Sequence, residues 1–337
     1  MTRDASLILV TGAAGFIGSN VARDFAAAGH RVVGCDRLRQ GGKWRNLADI
    51  LLTDLITPEA LPDWLASHAG EVAWIVHMGA VSATTETDVD RIVRENIRLT
   101  LDLWAWCARH GTGFVYASSA ATYGDGAHGF DDDPSPEAMA ALRPMNAYGW
   151  SKLMVDRRIN DGVARGEPTP PRWVGLRFFN VYGPGEDHKG DMRSVVNKIM
   201  PVVRDGGSVK LFRSYRDGIA DGDQQRDFIY VDDVVALVRR LTTADVASGV
   251  YNLGTGRART WNDLARAVFA AFGQAPRIEY VDMPPTLRPH YQYFTEARMD
   301  RLRLAGLNRA PLTLEDGVLA YVRADDVSLQ ACHRLPP

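Results

Sequence analysis

Leu7-Ile8-Leu9-Val10-Thr11-Gly12-Ala13-Ala14-Gly15-Phe16-Ile17-Gly18 decides the fold. An apolar run of strand length ends in glycines spaced G-x-x-G-x-x-G, and an amphipathic segment, Phe16 to Ala28, follows. Strand, tight turn and helix in that order are the physical form of a dinucleotide-binding loop. Gly12 suits a backbone conformation closed to other residues, and Gly15 lets the main chain approach a pyrophosphate. Gly18 lets the helix pack close to its strand. The helix start, opened by Phe16 and Ile17, turns unpaired N–H groups and a positive dipole end towards phosphates. The next strand, His30 to Cys35, ends at Asp36, near the ~20-residue offset expected of the residue that reads the adenosine ribose.

The stretch Arg37-Leu38-Arg39-Gln40-Gly41-Gly42-Lys43-Trp44-Arg45 then lies where the adenosine end of a dinucleotide sits. Cations at Arg37 and Lys43 suit a 2′-phosphate, so NADP is expected over NAD, while Asp36 keeps NAD open. Further strands are predicted at Val72–His77, Gly113–Ala117 and Trp173–Phe178, with helices over about 88–110 and 147–160. Met78-Gly79-Ala80-Val81-Ser82 is a small-residue loop at a strand end, across which a cofactor can lie. Asn96 is expected among the cofactor-binding residues, hydrogen-bonding a loop there, with a surface polar residue as the other reading. Trp106, with Leu99 and Leu103, reads as core.

Strands alternating with helices argue for an α/β, Rossmann-type doubly wound parallel sheet. Residues 125–144 read as an acidic surface loop, and the Pro-rich stretch Met283–Pro289 as another. Weaker signals place a helix at 194–204, a strand at 227–231 with a helix to 241, a strand at 250–253 and a helix at 261–272. Without a composition break, the expected division is a dinucleotide-binding domain over 1–178, with part of 229–256 returning to it. The stretches 179–228 and 257–337 then form mainly a smaller, interleaved substrate lobe.

The 337 residues are 46% hydrophobic and 24% charged, enough for a full core. A net charge of −2 argues against a nucleic-acid or membrane-surface partner held by bulk electrostatics. Cys35, Cys107 and Cys332 form no C-x-x-C pair, and the histidines show no H-x-x-x-H spacing, so no metal site is expected. Met1-Thr2-Arg3-Asp4 leads directly into the first strand, and no run approaches ~20 apolar residues. A soluble, cytoplasmic protein is expected.

The chemistry centres on Tyr148-Gly149-Trp150-Ser151-Lys152 and on Ser119 at the end of the fourth strand. On a helix, residues 148 and 152 share one face. An ammonium beside a phenol favours the phenolate, so the Tyr148 pKa is expected to fall towards neutrality and to fit it for acid–base work. Ser119 is placed to hydrogen-bond the same substrate oxygen.

On these motifs the chain resembles the extended, nucleotide-sugar-modifying branch of the short-chain dehydrogenase/reductase superfamily. The resemblance implies a hydride-transfer triad of Ser119, Tyr148 and Lys152, with Lys152 also holding the nicotinamide ribose. Ala120 and Ala121 follow Ser119 where sugar dehydratases of that branch carry an acid. Phe179 to Met192, with His188-Lys189-Gly190-Asp191-Met192, is similar to the segment typical of the ADP-L-glycero-D-manno-heptose 6-epimerase family. Leu253 to Ala258, Tyr291 to Thr295 and Gly42 to Leu47 agree with it.

This resemblance implies that Lys189 is a second base, one for each position of the reacting oxygen. It also implies substrate contacts at Asn180, Asp191, Lys198, Phe212, Arg226 and Tyr291. A guanidinium at Arg226 suits a pyrophosphate. The implied reaction is C6 epimerisation of ADP-D-glycero-D-manno-heptose through a 6-keto intermediate, for the lipopolysaccharide inner core, by a homo-oligomer. Asp191 stands where the family is small and polar, and Lys198 where a histidine is familiar. Another NAD(P)-dependent nucleotide-sugar epimerase or reductase, such as a 4-epimerase, and a non-catalytic dinucleotide sensor remain the alternatives.

Overall fold

The computed structural model describes residues 6–288, 291–307 and 309–333, without the side chains of 327–333. The lead Met1-Thr2-Arg3-Asp4, Pro289 and the Cys332 side chain lie outside the described residues. The chain divides into two units. One draws on Met1–Phe178, Val235–Leu253 and Arg298–Asn308, the other on Phe179–Val234, Gly254–Ala297 and Arg309–Pro337.

The first unit is built on seven strands: β1 (Leu7–Thr11), β2 (Arg31–Cys35), β3 (Asp54–Ile56), β4 (Val72–His77), β5 (Gly113–Ser119), β6 (Trp173–Phe178) and, returning late, β10 (Gly249–Leu253). They pair in parallel in the order β10-β6-β5-β4-β1-β2-β3. β1 is wholly buried, as its uninterrupted apolar run requires of a strand covered on both faces. Strand order reverses between β1 and β4, and such a switch point leaves a crevice at the strands' carboxyl ends. The residues that follow β1 and β4, Gly12 and Met78 to Ser82, are therefore placed there by topology.

Side chains from both strands and helices close the core, among them Leu9, Ile75, Phe114 and Val155 with Leu103 and Cys107. Trp104 and Trp106 pack against it. The helix expected over 88–110 runs from Val89 but loosens into a π-helical turn at Val93–Arg98 before Leu99–His110. The acidic stretch 125–144 is not simply a surface loop. It contains a helix, Pro136–Ala141, capped by Ser135, and it buries Phe130, Asp132, Met139 and Leu142. Its charge pattern hid four inward-facing side chains.

The second unit carries two small sheets. One has β7 (Asn180–Tyr182), β9 (Gln225–Tyr230) and β11 (Ala258–Thr260) in the order β11-β9-β7. The other pairs β8 (Val209–Phe212) with β12 (Ile278–Val281) in parallel. The helices Val195–Arg204 and Trp261–Ala271 flank them, the latter opened by a capping box between Thr260 and Asp263. Among the described residues, a helix over Leu314–His333 comes last. Among the described residues, no helix is long and apolar enough to cross a membrane.

Candidate functional site

Gly12 has φ +66°, and a Cβ there would lie 2.7 Å from the Gly79 backbone. At Gly18 a Cβ would lie 2.1 Å from the Gly12 carbonyl oxygen. Both glycines are therefore demanded by space, and Gly12 by conformation as well. They leave a bare backbone cradle, the loop Gly12–Gly15, at the start of the helix Phe16–Ala27. Such a cradle fits the pyrophosphate of a dinucleotide.

Asp36 follows β2 and is nearly fully buried. Its Oδ2 accepts from Ala14 N at 2.8 Å, while Oδ1 accepts from Arg37 N at 2.7 Å and from Lys43 Nζ at 2.5 Å. Asn46 ties the same region to the loop by donating to the Ala14 carbonyl. Arg37 is not free: its guanidinium pairs with Glu59 at 2.7 Å and Glu95 at 2.6 Å.

Opposite Gly12, the loop after β4 is held by two polar chains. Gly79 N donates to Thr11 Oγ1, which lies 2.6 Å from His77 Nδ1. His77 Nε2 lies 2.9 Å from Thr100 Oγ1, whose own proton goes to the Asn96 carbonyl. That direction makes Nε2 the protonated nitrogen and Nδ1 the acceptor. Burial, reinforced by the Lys152 charge, pushes the His77 pKa down to about 3, so the ring stays neutral. Asn96 is fully buried and spends its amide on Val81 N, Val81 O and Ser151 Oγ. It is no surface residue; it fastens the Met78–Ser82 loop. Ser82 itself is exposed.

Ser119 closes β5 and Tyr148 lies in the first turn of the helix Ala147–Ala164, capped by Asn146, which accepts from Gly149 N. Gly149 permits a close approach: a Cβ there would sit 2.6 Å from the Ala121 carbonyl oxygen. Ser119 lies beside the Tyr148 phenol and draws its pKa down. Lys152 Nζ stands 5.9 Å from the Tyr148 ring centre, and Lys152 is buried.

The expected fall in the Tyr148 pKa is not found. Burial pushes it up, and Ser119 only partly opposes this. Burial also pushes Lys152 down to about 8, against the pull of Asp156. With a pKa of about 8 the lysine still holds its proton at neutral pH and remains a cation beside the phenol.

Asp156, one turn beyond Lys152, belongs to a buried network that the sequence does not announce. It accepts from Tyr116, Ser118 and the Arg177 Nε at 3.0, 2.9 and 2.9 Å. Arg177 continues to Tyr123, and Tyr123 to Asn252, at 3.0 and 2.6 Å. The pair Asp156–Arg177 is sealed from solvent.

In the second unit, Arg226 is buried, with its guanidinium 5.3 Å from the Tyr291 ring centre and 5.7 Å from that of Trp261. It donates to the Gln225 and Gln292 carbonyls. Trp261 Nε1 donates to the Tyr291 hydroxyl, and Phe212 meets the Tyr291 ring edge to face at 6.4 Å. Arg226, Tyr291 and Phe212 thus form one aromatic-walled cationic cluster, to which Trp261 is an unforeseen addition. Asn180, Asp191 and Lys198 are exposed, and Lys198 Nζ donates to the Asp191 carbonyl at 2.6 Å.

Lys189 lies in a short 3-10 turn, Asp187–Met192, and is half-buried. Burial lowers its pKa, opposed by the carboxylate of Glu186. Glu186 is fully buried and accepts from Ser194 N, Ser194 Oγ and Gly183 N, so one side chain ties both ends of the Lys189 turn. Among the described residues, no group of His, Cys, Asp or Glu could hold a metal ion.

A glycine cradle at the switch point, an acidic ribose-side residue and a Ser–Tyr–Lys cluster together define a dinucleotide-dependent enzyme. The chain belongs to the NAD dependent epimerase/dehydratase family, whose profile matches residues 8–254. Within it, the chain is 45% identical over 328 residues to an ADP-L-glycero-D-manno-heptose-6-epimerase of Nitratidesulfovibrio vulgaris, covering 94% of this chain and 97% of that one. The solved structure of the Helicobacter pylori ADP-L-glycero-D-manno-heptose-6-epimerase is 28% identical with a TM-score of 0.77, covering 96% and 98% of the two chains. The UDP-glucose 4-epimerase of Thermus thermophilus, solved in complex with NAD, is 26% identical with a TM-score of 0.73, covering 94% and 98%.

Proposed function

We propose that the chain is a nucleotide-sugar epimerase that inverts C6 of ADP-D-glycero-D-manno-heptose to give the ADP-L-glycero-D-manno product, a precursor of the lipopolysaccharide inner core. The observation that carries the reading is the meeting of Ser119, Tyr148 and Lys152 in one cluster. The dinucleotide, when bound, supplies the acceptor and donor of the C6 hydride. Tyr148 exchanges the proton of the C6 oxygen in one of its positions, with Ser119 beside the same phenol. Lys189 exchanges it in the other, because hydride returned to the opposite face of the 6-ketone leaves the oxygen elsewhere. Burial lowers its pKa, the direction that suits a lysine that must give and take a proton. Arg226 holds the pyrophosphate, with Tyr291 and Phe212 about it, and Asn180, Asp191 and Lys198 contact the sugar nucleotide.

The dinucleotide lies on Gly12, Gly15, Phe16, Ile17 and Gly18, with Met78, Gly79 and Ala80 across the switch point, Ser82 in the same loop, and Lys152 at the nicotinamide ribose. Its form in this reading is NAD. The sequence expectation of NADP rested on Arg37 and Lys43, yet Arg37 is held by two carboxylates and Lys43 by Asp36. NAD is also the dinucleotide in the Thermus thermophilus complex. The functional form is a homo-oligomer, consistent with Met154 and Val163 exposed on the Tyr148 helix; light scattering in solution tests it.

Incubation with ADP-D-glycero-D-manno-heptose, read by NMR at C6, tests the reaction. Inversion at C6 is expected, with the carbon unlabelled when turnover runs in heavy water. Unchanged C6 configuration refutes the reading, and deuterium at C6 refutes the hydride mechanism.

A further inference from the structure

Glu186 is a buried carboxylate that the reaction described above does not use. It lies at the head of the turn Asp187–Met192, and none of it reaches solvent. Its Oε2 accepts from Ser194 N at 2.5 Å, and its Oε1 from Ser194 Oγ at 2.6 Å. Gly183 N and the Tyr321 hydroxyl also donate to Oε1, each at 3.4 Å. Asn197 sets the direction of the two hydroxyl bonds. Its N–H donates to Ser194 Oγ at 3.1 Å and its Nδ2 to the Tyr321 hydroxyl at 2.7 Å, so each hydroxyl keeps its own proton for Glu186. Both carboxylate oxygens thus meet donors, an arrangement that suits the ionised form. Burial raises the Glu186 pKa, while Ser194, Lys189 and Gly183 pull against it.

Lys189 follows within the same turn, and its N–H donates to the Glu186 carbonyl at 2.9 Å. One side chain therefore holds the turn on both sides of this lysine, through Gly183 before it and Ser194 after it. Tyr321, from the helix Leu314–His333, braces the same carboxylate. Asp187, His188, Asp191 and Arg193 are the other titratable groups of the segment. Asp187 and Arg193 are bonded to Asn197, and His188 and Asp191 are exposed. Glu186 supplies the charge that opposes the effect of burial on Lys189. We propose that Glu186 is a positioning residue: it fixes where the turn presents the Lys189 amine, and its charge helps hold the proton that this amine gives and takes. The inference rests on the reading of Lys189 as a base and extends it to a residue that acts through Lys189.

The chain's lysines are Lys43, Lys152, Lys189, Lys198 and Lys210, few enough for each to be followed by NMR in protein made with isotope-labelled lysine. The Lys189 signal is assigned by its loss in Lys189→Met. Glu186→Gln keeps the shape and removes the charge. Its Lys189 signal is expected to titrate about one pH unit lower than in the wild type, a roughly tenfold weaker hold on the proton. The pH profile of C6 inversion is expected to move in the same direction. A carboxylate that merely stapled the fold would cost stability and leave the Lys189 midpoint in place. A shift of less than about 0.3 pH unit, or an upward one, therefore overturns the inference. Ser194→Ala removes a donor but no charge, and it serves if Glu186→Gln does not fold. Its kcat for inversion is expected to fall about tenfold, with KM and dinucleotide affinity within about twofold, because the turn loses part of its hold on Lys189. An unchanged kcat overturns the inference. If the wild type does not invert C6, or Lys189→Met still does, the reading of Lys189 as a base fails. The Lys189 midpoint in Glu186→Gln alone then decides whether Glu186 governs this lysine.

Discussion

Lys152 should make the cofactor-free fold less stable at neutral pH, and replacing it with methionine should reveal the cost. Its pKa falls from the ordinary 10.5 to about 8 because burial penalises the ammonium more than Asp156 supports it. Below pH 8 the folded and unfolded chains both hold the proton, so the folded state bears the whole penalty. At about 1.4 kcal/mol per pH unit that is roughly 3 kcal/mol. Between pH 8 and 10.5 the unfolded lysine keeps a proton that the folded one has lost, so stability rises with pH through this window. By pH 9.5 about 2 kcal/mol of the penalty is relieved. Lys152→Met carries no such term, and its length and unbranched shape suit the same space. The variant is expected to exceed the wild type by roughly 2–3 kcal/mol at pH 7 and by only about 1 kcal/mol at pH 9.5. Urea unfolding followed by circular dichroism at the two pH values measures this, and activity should be lost throughout. A difference that does not change with pH, or a methionine variant less stable at both, refutes the reasoning.

Gly18→Ala places a Cβ 2.1 Å from the Gly12 carbonyl oxygen, a backbone contact that cannot yield without moving the loop. Dinucleotide affinity is expected to fall at least about 30-fold, for a displacement costing some 2 kcal/mol or more; titration calorimetry checks it. Asp156→Asn leaves Arg177 charged and sealed away, with one guanidinium nitrogen already lacking a partner. A loss of about 3–5 kcal/mol in chemical denaturation is expected, as when one member of a buried pair is removed. Lys189→Met is expected to abolish C6 inversion, read by NMR, with the affinity for dinucleotide within about twofold of wild type, a difference under half a kcal/mol. An active Lys189→Met chain removes that lysine from the reaction.

What could be read in the sequence was whatever is written locally. The run Leu7 to Gly18 states strand, turn and helix in twelve residues, because a bare backbone beside a phosphate leaves glycine no substitute. The alternation that follows implies the parallel sheet, and the sheet carries Ser119 to one end of β5, where the helix of Tyr148 and Lys152 begins. Position was therefore legible; electrical state was not. Arg37 and Lys43 read as cations awaiting a phosphate, but Glu59, Glu95 and Asp36 close on them in the fold. Tyr148 and Lys152 read as a phenol eased by an ammonium, but burial moves both towards their neutral forms. Asp132 sat in a stretch that looked solvated and is instead buried, accepting from Asn252 N. In each case the residue type is a local fact, whereas its charge depends on solvent and partners that only the folded chain assembles. Helical spacing can place a lysine beside a tyrosine; whether that lysine is charged depends on the walls around it.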